Sequence, residues 1–327
     1  MNFLVIFFIF IFLICNFKVY PKEQSLSSAK YSYTLISDSS FFHTTNFEFT
    51  NHRRDILYSY LNEQDTAWDY GGSIFYIQGF NTIDNYSGER VLFTIGHKSS
   101  PNFYQNISLG INNYYDSFHQ KKFIEFVGES KTTFVLSEIF SGFIGVARDS
   151  GYIFSLQPGS ISDALLVTKL FGLITIRYHE DWMSRFSQDY LLINDGNQKS
   201  VSNLSLLYGL STTTPWIWFG VGLEYTAYSS TTSNYWSPSG YLGYGARTEA
   251  EISIIEDFFS ISVNFDYNRI YDNDSKAEGN GFNFSTKLTL GNRNDHNASI
   301  FYNHIDSSQS GTSWISKELG VSLNLTL

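Results

Sequence analysis

Charged side chains recur at every second position in one segment of the sequence. Arg247, Glu249 and Glu251 alternate there with small or apolar residues, so an extended strand would place all three on one face. Similar segments add Arg177, Glu224 and Asp266 to the corresponding face. Such groups can form a salt-bridge network, line a polar path for a polymer, or hydrolyse a glycoside with two carboxyl groups at a set separation. The network is the simplest interpretation, and the excess of carboxylates predicts a cation-favouring path.

A second candidate site combines aromatic side chains. Tyr235, Trp236 and Tyr241 lie around a Ser-Pro-Ser-Gly stretch. Aromatic faces can stack on sugar rings, but Tyr and Trp also prefer the boundary between membrane and water. The sequence predicts a hairpin tip at that boundary, with sugar stacking as the alternative. Asp195-Gly196-Asn197 could bind an ion or a sugar, although Asx-Gly between strands is usually a tight turn.

Other chemistries lack their characteristic spacing. The 7 histidines are scattered and form no metal-binding pattern. His52 and His97 have serines nearby, but a serine-rich chain produces such neighbours by chance. The sequence therefore predicts no catalytic residues, no metal site, no cofactor and no enzymatic activity.

The elements that must position these residues are β-strands. Residues 318–327 alternate apolar and polar without interruption, and the same two-residue period recurs in residues 219–228 and 281–290. Their polar positions carry Gly, Ser, Asn and Thr rather than Lys and Glu, which favours a lumen over the solvated face of a sandwich. We predict an all-β protein, a transmembrane antiparallel up-and-down β-barrel of about 16 strands, with about 14 as the alternative.

Turn residues separate several of these runs. Residues 194–197, 272–275 and 291–295 are predicted hairpin turns because they combine Asn, Asp, Gly and Ser. Residues 131–148 are predicted as one strand. Residues 159–171 break the alternation with apolar residues at near-helical spacing, which predicts a short helix or a loop folded into the lumen.

Composition agrees with a membrane barrel. Hydrophobic residues make up 43% of the chain and aromatic residues 18%, yet beyond the N-terminal region no segment approaches the roughly 20 apolar residues of a spanning helix. Only a closed barrel can otherwise pair every backbone polar group in hydrocarbon. The formal net charge of −10 argues against nucleic acid as a partner.

The N-terminal region predicts export. Residues 1–15 form an apolar run too short for a spanning helix. We therefore predict a signal peptide over residues 1–29 and one barrel domain over residues 30–327, located in the outer membrane of a Gram-negative bacterium. Cys15 is the only cysteine, and lipid attachment there is an alternative.

The order of features between Arg148 and Ile254 is more specific than a general barrel pattern. It includes Ala147-Arg148-Asp149-Ser150, then Trp182-Met183-Ser184-Arg185, then Asn194-Asp195-Gly196-Asn197, then Gly220-Val221-Gly222, then Tyr235-Trp236-Ser237-Pro238-Ser239-Gly240-Tyr241. This order resembles the C-terminal outer-membrane barrel of bacterial exopolysaccharide export porins, a family that includes cellulose synthase operon protein C and the poly-N-acetylglucosamine export porin. The resemblance covers about a third of the chain.

The resemblance implies a monomeric channel that exports an exopolysaccharide, or the pore part of a secretion system. Its partners would be outer-membrane lipid, the polysaccharide and periplasmic secretion components. Two features depart from the family: no tetratricopeptide repeat of about 34 residues precedes the barrel, and the chain ends in Leu327 rather than Phe or Trp. A structural or adhesive surface barrel with a plugged lumen is the alternative, and a barrel enzyme is the third.

Overall fold

The chain forms β-strands throughout the part that the structure describes. The computed structural model describes residues 29–43, 53–54, 61–62, 68–80, 85–100, 102–116, 120–151, 164–211, 213, 215–232, 235, 237–256, 258–291, 297–309 and 312–326. The strands are β1 (Ala29–His43), β2 (Arg53–Arg54), β3 (Leu61–Asn62), β4 (Trp68–Phe80), β5 (Asn85–Ser100), β6 (Phe103–Asp116), β7 (Lys121–Val135), β8 (Phe140–Ser150), β9 (Leu166–His179), β10 (Trp182–Ile193), β11 (Gln198–Ser211), β12 (Trp216–Tyr228), β13 (Tyr241–Ile255), β14 (Phe259–Asp272), β15 (Ala277–Gly291), β16 (Asn297–Gln309) and β17 (Thr312–Thr326). No helix in these ranges is long and apolar enough to cross a membrane.

The strands pair in one antiparallel sheet that closes on itself. From β4 to β17 each strand pairs with the next along the chain, and β1 pairs with β17 from Lys30↔Thr326 to His43↔Ser313. The short strands β2 and β3 lie between β1 and β4, because β2 pairs with β4 and β3 pairs with β1. The predicted all-β up-and-down barrel is confirmed. The run from β4 to β17 is 14 consecutive strands, which fits the alternative strand count.

The outer surface of the barrel is apolar. On β5 the side chains of Val91, Phe93 and Ile95 are 53%, 58% and 42% exposed, while Leu92 and Thr94 between them are partly shielded. The same alternation follows β11 and β12, with Leu204, Leu206, Phe219 and Val221 exposed. A lipid-facing barrel requires this arrangement, in which every second side chain of a strand points outward and is apolar.

The two ends of the barrel differ in their connections. At the end where β17 terminates, residues 136–139 and 180–181 make short turns, and we call this the turn end. The opposite end carries longer connections, including residues 151–165 and 229–240, and we call it the loop end. Bacterial outer-membrane barrels have short periplasmic turns and longer extracellular loops, so the loop end corresponds to the extracellular side.

Aromatic pairs mark the exterior near the turn end. The rings of Trp182 and Tyr208 are 5.0 Å apart between centroids, and both side chains are exposed. Phe134 and Phe140 stack at 6.0 Å on the adjoining strands β7 and β8. Such pairs are typical of the aromatic girdle that lies at the interface between hydrocarbon and headgroups.

Two of the predicted segments are wrong. Residues 131–148 are not one strand, because β7 ends at Val135 and β8 begins at Phe140. Ser137 makes the turn: its hydroxyl accepts hydrogen bonds from the amides of Ile139 and Phe140 at 3.3 and 3.1 Å, a local alternative to strand pairing. The predicted helix or inward loop over residues 159–171 is strand from Leu166 onward, and residues 159–163 lie outside the described ranges.

The hairpin turns at residues 194–197 and 272–275 are confirmed. Gly196 has a φ of +92°, a backbone conformation that favours glycine, and the amide of Ile193 donates to the Asn197 carbonyl at 3.0 Å. Of the third predicted turn, at residues 291–295, only Gly291 is described, and residues 1–28 of the predicted signal peptide also lie outside the described ranges.

Candidate functional site on the inner wall

Charged side chains of alternating sign follow the inner wall from β9 to β14. Each of these six adjacent strands contributes one inward charged side chain to the set described here. We call this set the charge belt; in strand order it is Lys169, Asp189, Lys199, Glu224, Arg247 and Asp266. Neighbours in sequence such as Leu170, Leu223 and Phe265 are exposed on the apolar exterior, and successive side chains of a strand point to opposite faces.

Direct ion pairs form both ends of the charge belt. Lys169 Nζ lies 2.7 Å from Asp189 Oδ2. Arg247 holds Asp266 with two hydrogen bonds, from Nε at 2.8 Å and from Nη2 at 3.1 Å. Residues Arg247 and Asp266 are directly opposite in the β13–β14 register, which allows this bidentate geometry.

The centre of the charge belt connects these two pairs. Lys199 interacts electrostatically with both Asp189 and Glu224, and Glu224 interacts with Arg247. Each belt member therefore has an opposite charge on the adjacent strand. This arrangement balances the carboxylates locally, because opposite charges a few ångströms apart largely cancel at a distance.

A small cavity opens beside the centre of the charge belt. The inward groups around it are Asn203, Gly222, Glu224, Arg247, Asp266 and Asn268. Gly222 contributes space because it has no side chain, and Asn203 Nδ2 donates to Ser187 Oγ at 3.3 Å. The Glu224 carboxylate and the Asn268 carboxamide make no hydrogen bond within the described part of the chain. Both groups therefore keep hydrogen-bonding capacity for solvent or a ligand.

A third ion pair reaches across two intervening strands of the wall. Arg185 Nη1 on β10 donates to both carboxylate oxygens of Glu249 on β13, at 2.6 and 2.8 Å. In the register of β11 and β12, Ser205 and Gly222 lie level with Arg185. The long side chains can meet over the wall because these intervening residues are small. Arg185 was missed by the sequence analysis, although the exposed Phe186 beside it indicates an inward position by alternation.

Apolar side chains cover the inner wall nearer the turn end. Met183, Leu207 and Trp218 are buried together, and the Arg177 guanidinium carbon lies 5.8 Å from the centroid of the Trp218 ring. This distance is within the range of a cation–π interaction. Arg177 therefore lies apart from the charge belt. Glu251 is level with Trp216 of β12 in the same region.

Another polar cluster lies on the neighbouring strands β5 to β8 and was also missed. Arg90 Nη1 on β5 contacts Asp149 Oδ2 on β8 at 2.5 Å, and Asn112 Nδ2 on β6 donates to Asp149 Oδ1 at 2.6 Å. Asn112 is fully buried and Asp149 is 6% exposed. Arg90 precedes the outward Val91 in an alternating run, and this pattern was the available signal.

Tyr235 closes over the inner wall at the loop end. It is 2% exposed and packs with Leu165, Val167 and Tyr228, with its ring centroid 5.8 Å from that of Tyr228. The predicted position at the boundary between membrane and water is therefore wrong for Tyr235, because its side chain is buried against the inner wall. Trp236 lies outside the described residues, and the half-buried Tyr241 begins β13.

Polar contacts fasten Tyr235 to the predicted turn. Its hydroxyl donates to Asp195 Oδ2 at 2.9 Å and accepts from Asn197 Nδ2 at 2.9 Å. Burial, followed by the hydrogen bond to Asp195, raises the pKa of Tyr235 to about 12. Asn197 Oδ1 also accepts from the amides of Gln198 and Ser230, at 2.9 and 3.1 Å. The Asp195-Gly196-Asn197 turn is therefore the anchor of the inward loop.

The observed charges correct the predicted acidic path. Lys169, Lys199 and Arg185 lie beside carboxylates at this level, and none of them was in the predicted set. The cation-favouring field expected from Glu224, Glu249 and Asp266 is therefore offset on these strands. Within the described ranges no group of His, Cys, Asp and Glu is arranged to hold a metal ion.

Comparisons with known proteins identify the fold. No protein-family model matches the sequence, and no curated protein matches it. A solved structure described as a bacterial polysaccharide outer membrane secretin superposes with a TM-score of 0.72 at 8% identity, covering 94% of this chain and 100% of that one. The CymD monoaromatic hydrocarbon channel gives 0.50 at 7% identity, covering 93% and 90%. OpdQ of Pseudomonas aeruginosa gives 0.48 at 8% identity, covering 92% and 98%.

The fold and the apolar exterior define the class of protein. Its structural neighbours are outer-membrane β-barrels, and the exposed apolar wall matches a lipid environment. The chain is a transmembrane β-barrel of the bacterial outer-membrane type.

Proposed function

We propose that this protein is an outer-membrane channel whose inner wall passes a polar polymer, an exopolysaccharide. The observation that carries the proposal is the charge belt: six adjacent strands each contribute a charged side chain to it, in the interior of a closed barrel with an apolar exterior. Maintaining many charges inside a wall that borders lipid is costly unless the interior is polar and hydrated.

The proposed path uses the charged residues found first in the sequence. Glu224, Arg247 and Asp266 belong to the charge belt, and Glu249 lies beside it through its pair with Arg185. A polymer with many hydroxyl groups can exchange hydrogen bonds with such side chains, because carboxylates accept and guanidinium groups donate. In this proposal Arg177 and Glu251 line the same path nearer the turn end.

Two resemblances support the exopolysaccharide as substrate. The order of motifs between Arg148 and Ile254 resembles the exopolysaccharide export porins. The fold likeness at a TM-score of 0.72 is to a polysaccharide outer membrane secretin. We propose a monomer that works with periplasmic secretion components and the polymer itself.

A plugged surface barrel is the second candidate function. Tyr235 and its anchor fill the inner wall at the loop end, and Met183, Leu207 and Trp218 pack against one another nearer the turn end. Both clusters reduce the free cross-section of the lumen. Structural or adhesive roles would use the barrel without passage of a polymer.

Reconstitution into planar bilayers separates these two functions. We expect the purified protein to conduct ions in steps, and we expect removal of residues 229–240, which carry the buried Tyr235, to raise the conductance. Uncharged polyethylene glycols of increasing size, added to both sides, would measure the width of the path. A protein that conducts nothing, both as wild type and without this segment, would contradict the channel and favour the plugged barrel.

A further inference from the structure

We propose that the cavity beside the charge belt is a contact site for one uncharged sugar unit, which would lie in the lumen across the mouth of the cavity. The inference rests on the proposed export function and goes further, because it names the site and the charge class of its ligand. The cavity is lined by two carboxylates, one guanidinium group and two carboxamides, from Glu224, Asp266, Arg247, Asn203 and Asn268. These groups both donate and accept hydrogen bonds, as sugar hydroxyls do.

The alternation of charge argues against an ionic ligand. Because adjacent strands are about 4.8 Å apart, the sign pattern repeats about every 9.6 Å around the wall. The electrostatic potential of a periodic charge pattern decays exponentially with distance from the charges, with a decay length equal to the repeat divided by 2π. For this repeat the potential falls e-fold over about 1.5 Å. A polymer a few ångströms from the wall therefore encounters little net field, so neither an anionic nor a cationic chain is favoured.

The ion pairs that border the cavity reinforce this argument. Asp266 is held by two hydrogen bonds from Arg247, and the belt continues through Glu224 to Lys199. An anionic ligand at Arg247 would have to displace Asp266, and a cationic ligand at Glu224 would lie beside Lys199 and Arg247. A neutral ligand neither has to displace Asp266 nor places a positive charge beside Lys199 and Arg247.

The unused hydrogen-bonding groups indicate where the sugar would bind. Glu224 can accept and Asn268 can both donate and accept, and neither group makes a hydrogen bond within the described residues. Asn268 lies on β14 two residues beyond Asp266, so both inward side chains face the same cavity. Gly222 lies on the same strand as Glu224 and adds space because it has no side chain.

Isothermal titration calorimetry in detergent micelles can test the site. Three ligands of matched length serve as probes: neutral cello-oligosaccharide, anionic oligogalacturonate and cationic, fully deacetylated chito-oligosaccharide. We expect measurable binding of the neutral ligand and at least tenfold weaker binding of the two charged ones. Equal or stronger binding of either charged oligosaccharide would overturn the inference.

Two variants of similar size locate the binding. Asn268→Leu removes the carboxamide at the cavity, and we expect the neutral ligand to bind about tenfold more weakly, the loss for one or two hydrogen bonds. Asn264→Leu on the same inner face of β14 lies outside the cavity lining and should bind like the wild type. If Asn268→Leu fails to fold, Asn268→Asp keeps the size and adds a charge, and unchanged binding by that variant would count against the site.

The calorimetric result is independent of the channel assay. Conductance without binding of the neutral oligosaccharide would overturn the sugar site and leave the channel intact. Binding of that ligand by a barrel that never conducts would retain the site and contradict the export function.

Discussion

The assignment of inner and outer faces can be tested by one pair of arginine substitutions on β14. Phe265 is 40% exposed on the exterior, and its neighbour Asn264 points to the lumen. Both lie near the middle of the strand Phe259–Asp272, so Phe265→Arg and Asn264→Arg place the same charge at nearly the same depth. Only the face of the wall differs between the two variants.

The expected cost follows from this placement. An arginine at the bilayer midplane on the lipid face costs about 2–4 kcal/mol, which corresponds to roughly a 30- to 1000-fold shift of the folding equilibrium. In the lumen, Asn264 is directly opposite Glu249 in the β13–β14 register. An arginine there gains an opposite charge on the adjacent strand, and cross-strand pairs of this kind contribute about 0.2–1 kcal/mol.

Refolding into lipid vesicles measures this difference. The folded barrel is separated from the unfolded chain by its heat-modifiable mobility on a gel, and a denaturant titration gives the free energy of unfolding for each variant. We expect Phe265→Arg to lose stability and Asn264→Arg to fold like the wild type. Equal losses, or a larger loss for Asn264→Arg, would refute the assignment of faces and with it the charge belt.

Three further outcomes follow from the contacts of the inner wall. A double-mutant cycle of Arg185→Ala and Glu249→Ala in the same denaturant titration should give a coupling of about 1–3 kcal/mol, because two short charge-assisted hydrogen bonds join these partly buried groups; additive losses would show that the pair contributes nothing. Asn197→Ala should cost about 1–3 kcal/mol, since it leaves the buried Tyr235 without its amide partner. Asn197→Asp should cost at least as much, because a buried carboxylate oxygen would replace the amide donor to Ser230 and Tyr235. The pKa of Tyr235 is raised from 10.0 to about 12 in the folded protein, so the stabilisation by its neutral hydroxyl is complete below pH 10 and is lost as the pH rises through about 12. NMR of ¹³C-labelled tyrosine should show this titration, with the Tyr235 signal assigned by its absence in Tyr235→Phe. A midpoint near 10 would contradict the prediction.

Much of the fold could be predicted from local pattern. Alternation with a period of two residues sorts side chains to two faces of a strand without any knowledge of neighbouring strands. It therefore placed Glu224, Arg247 and Glu249 on the same face that the structure gives them. The turn at Asp195-Gly196-Asn197 was equally local, because Gly196 adopts a positive φ.

The partners of these residues depended on tertiary structure. Arg185 meets Glu249 because the closure and stagger of the barrel bring β10 and β13 close together and the residues between them are small. No local sequence pattern specifies which residues of two distant strands lie at the same height in the wall. Tyr235 is buried against the inner wall for a similar reason, since its partner Asp195 belongs to a different hairpin, the one formed by β10 and β11. The sequence by itself determined which side chains face the lumen, whereas the register between strands decided that their charges alternate and nearly cancel.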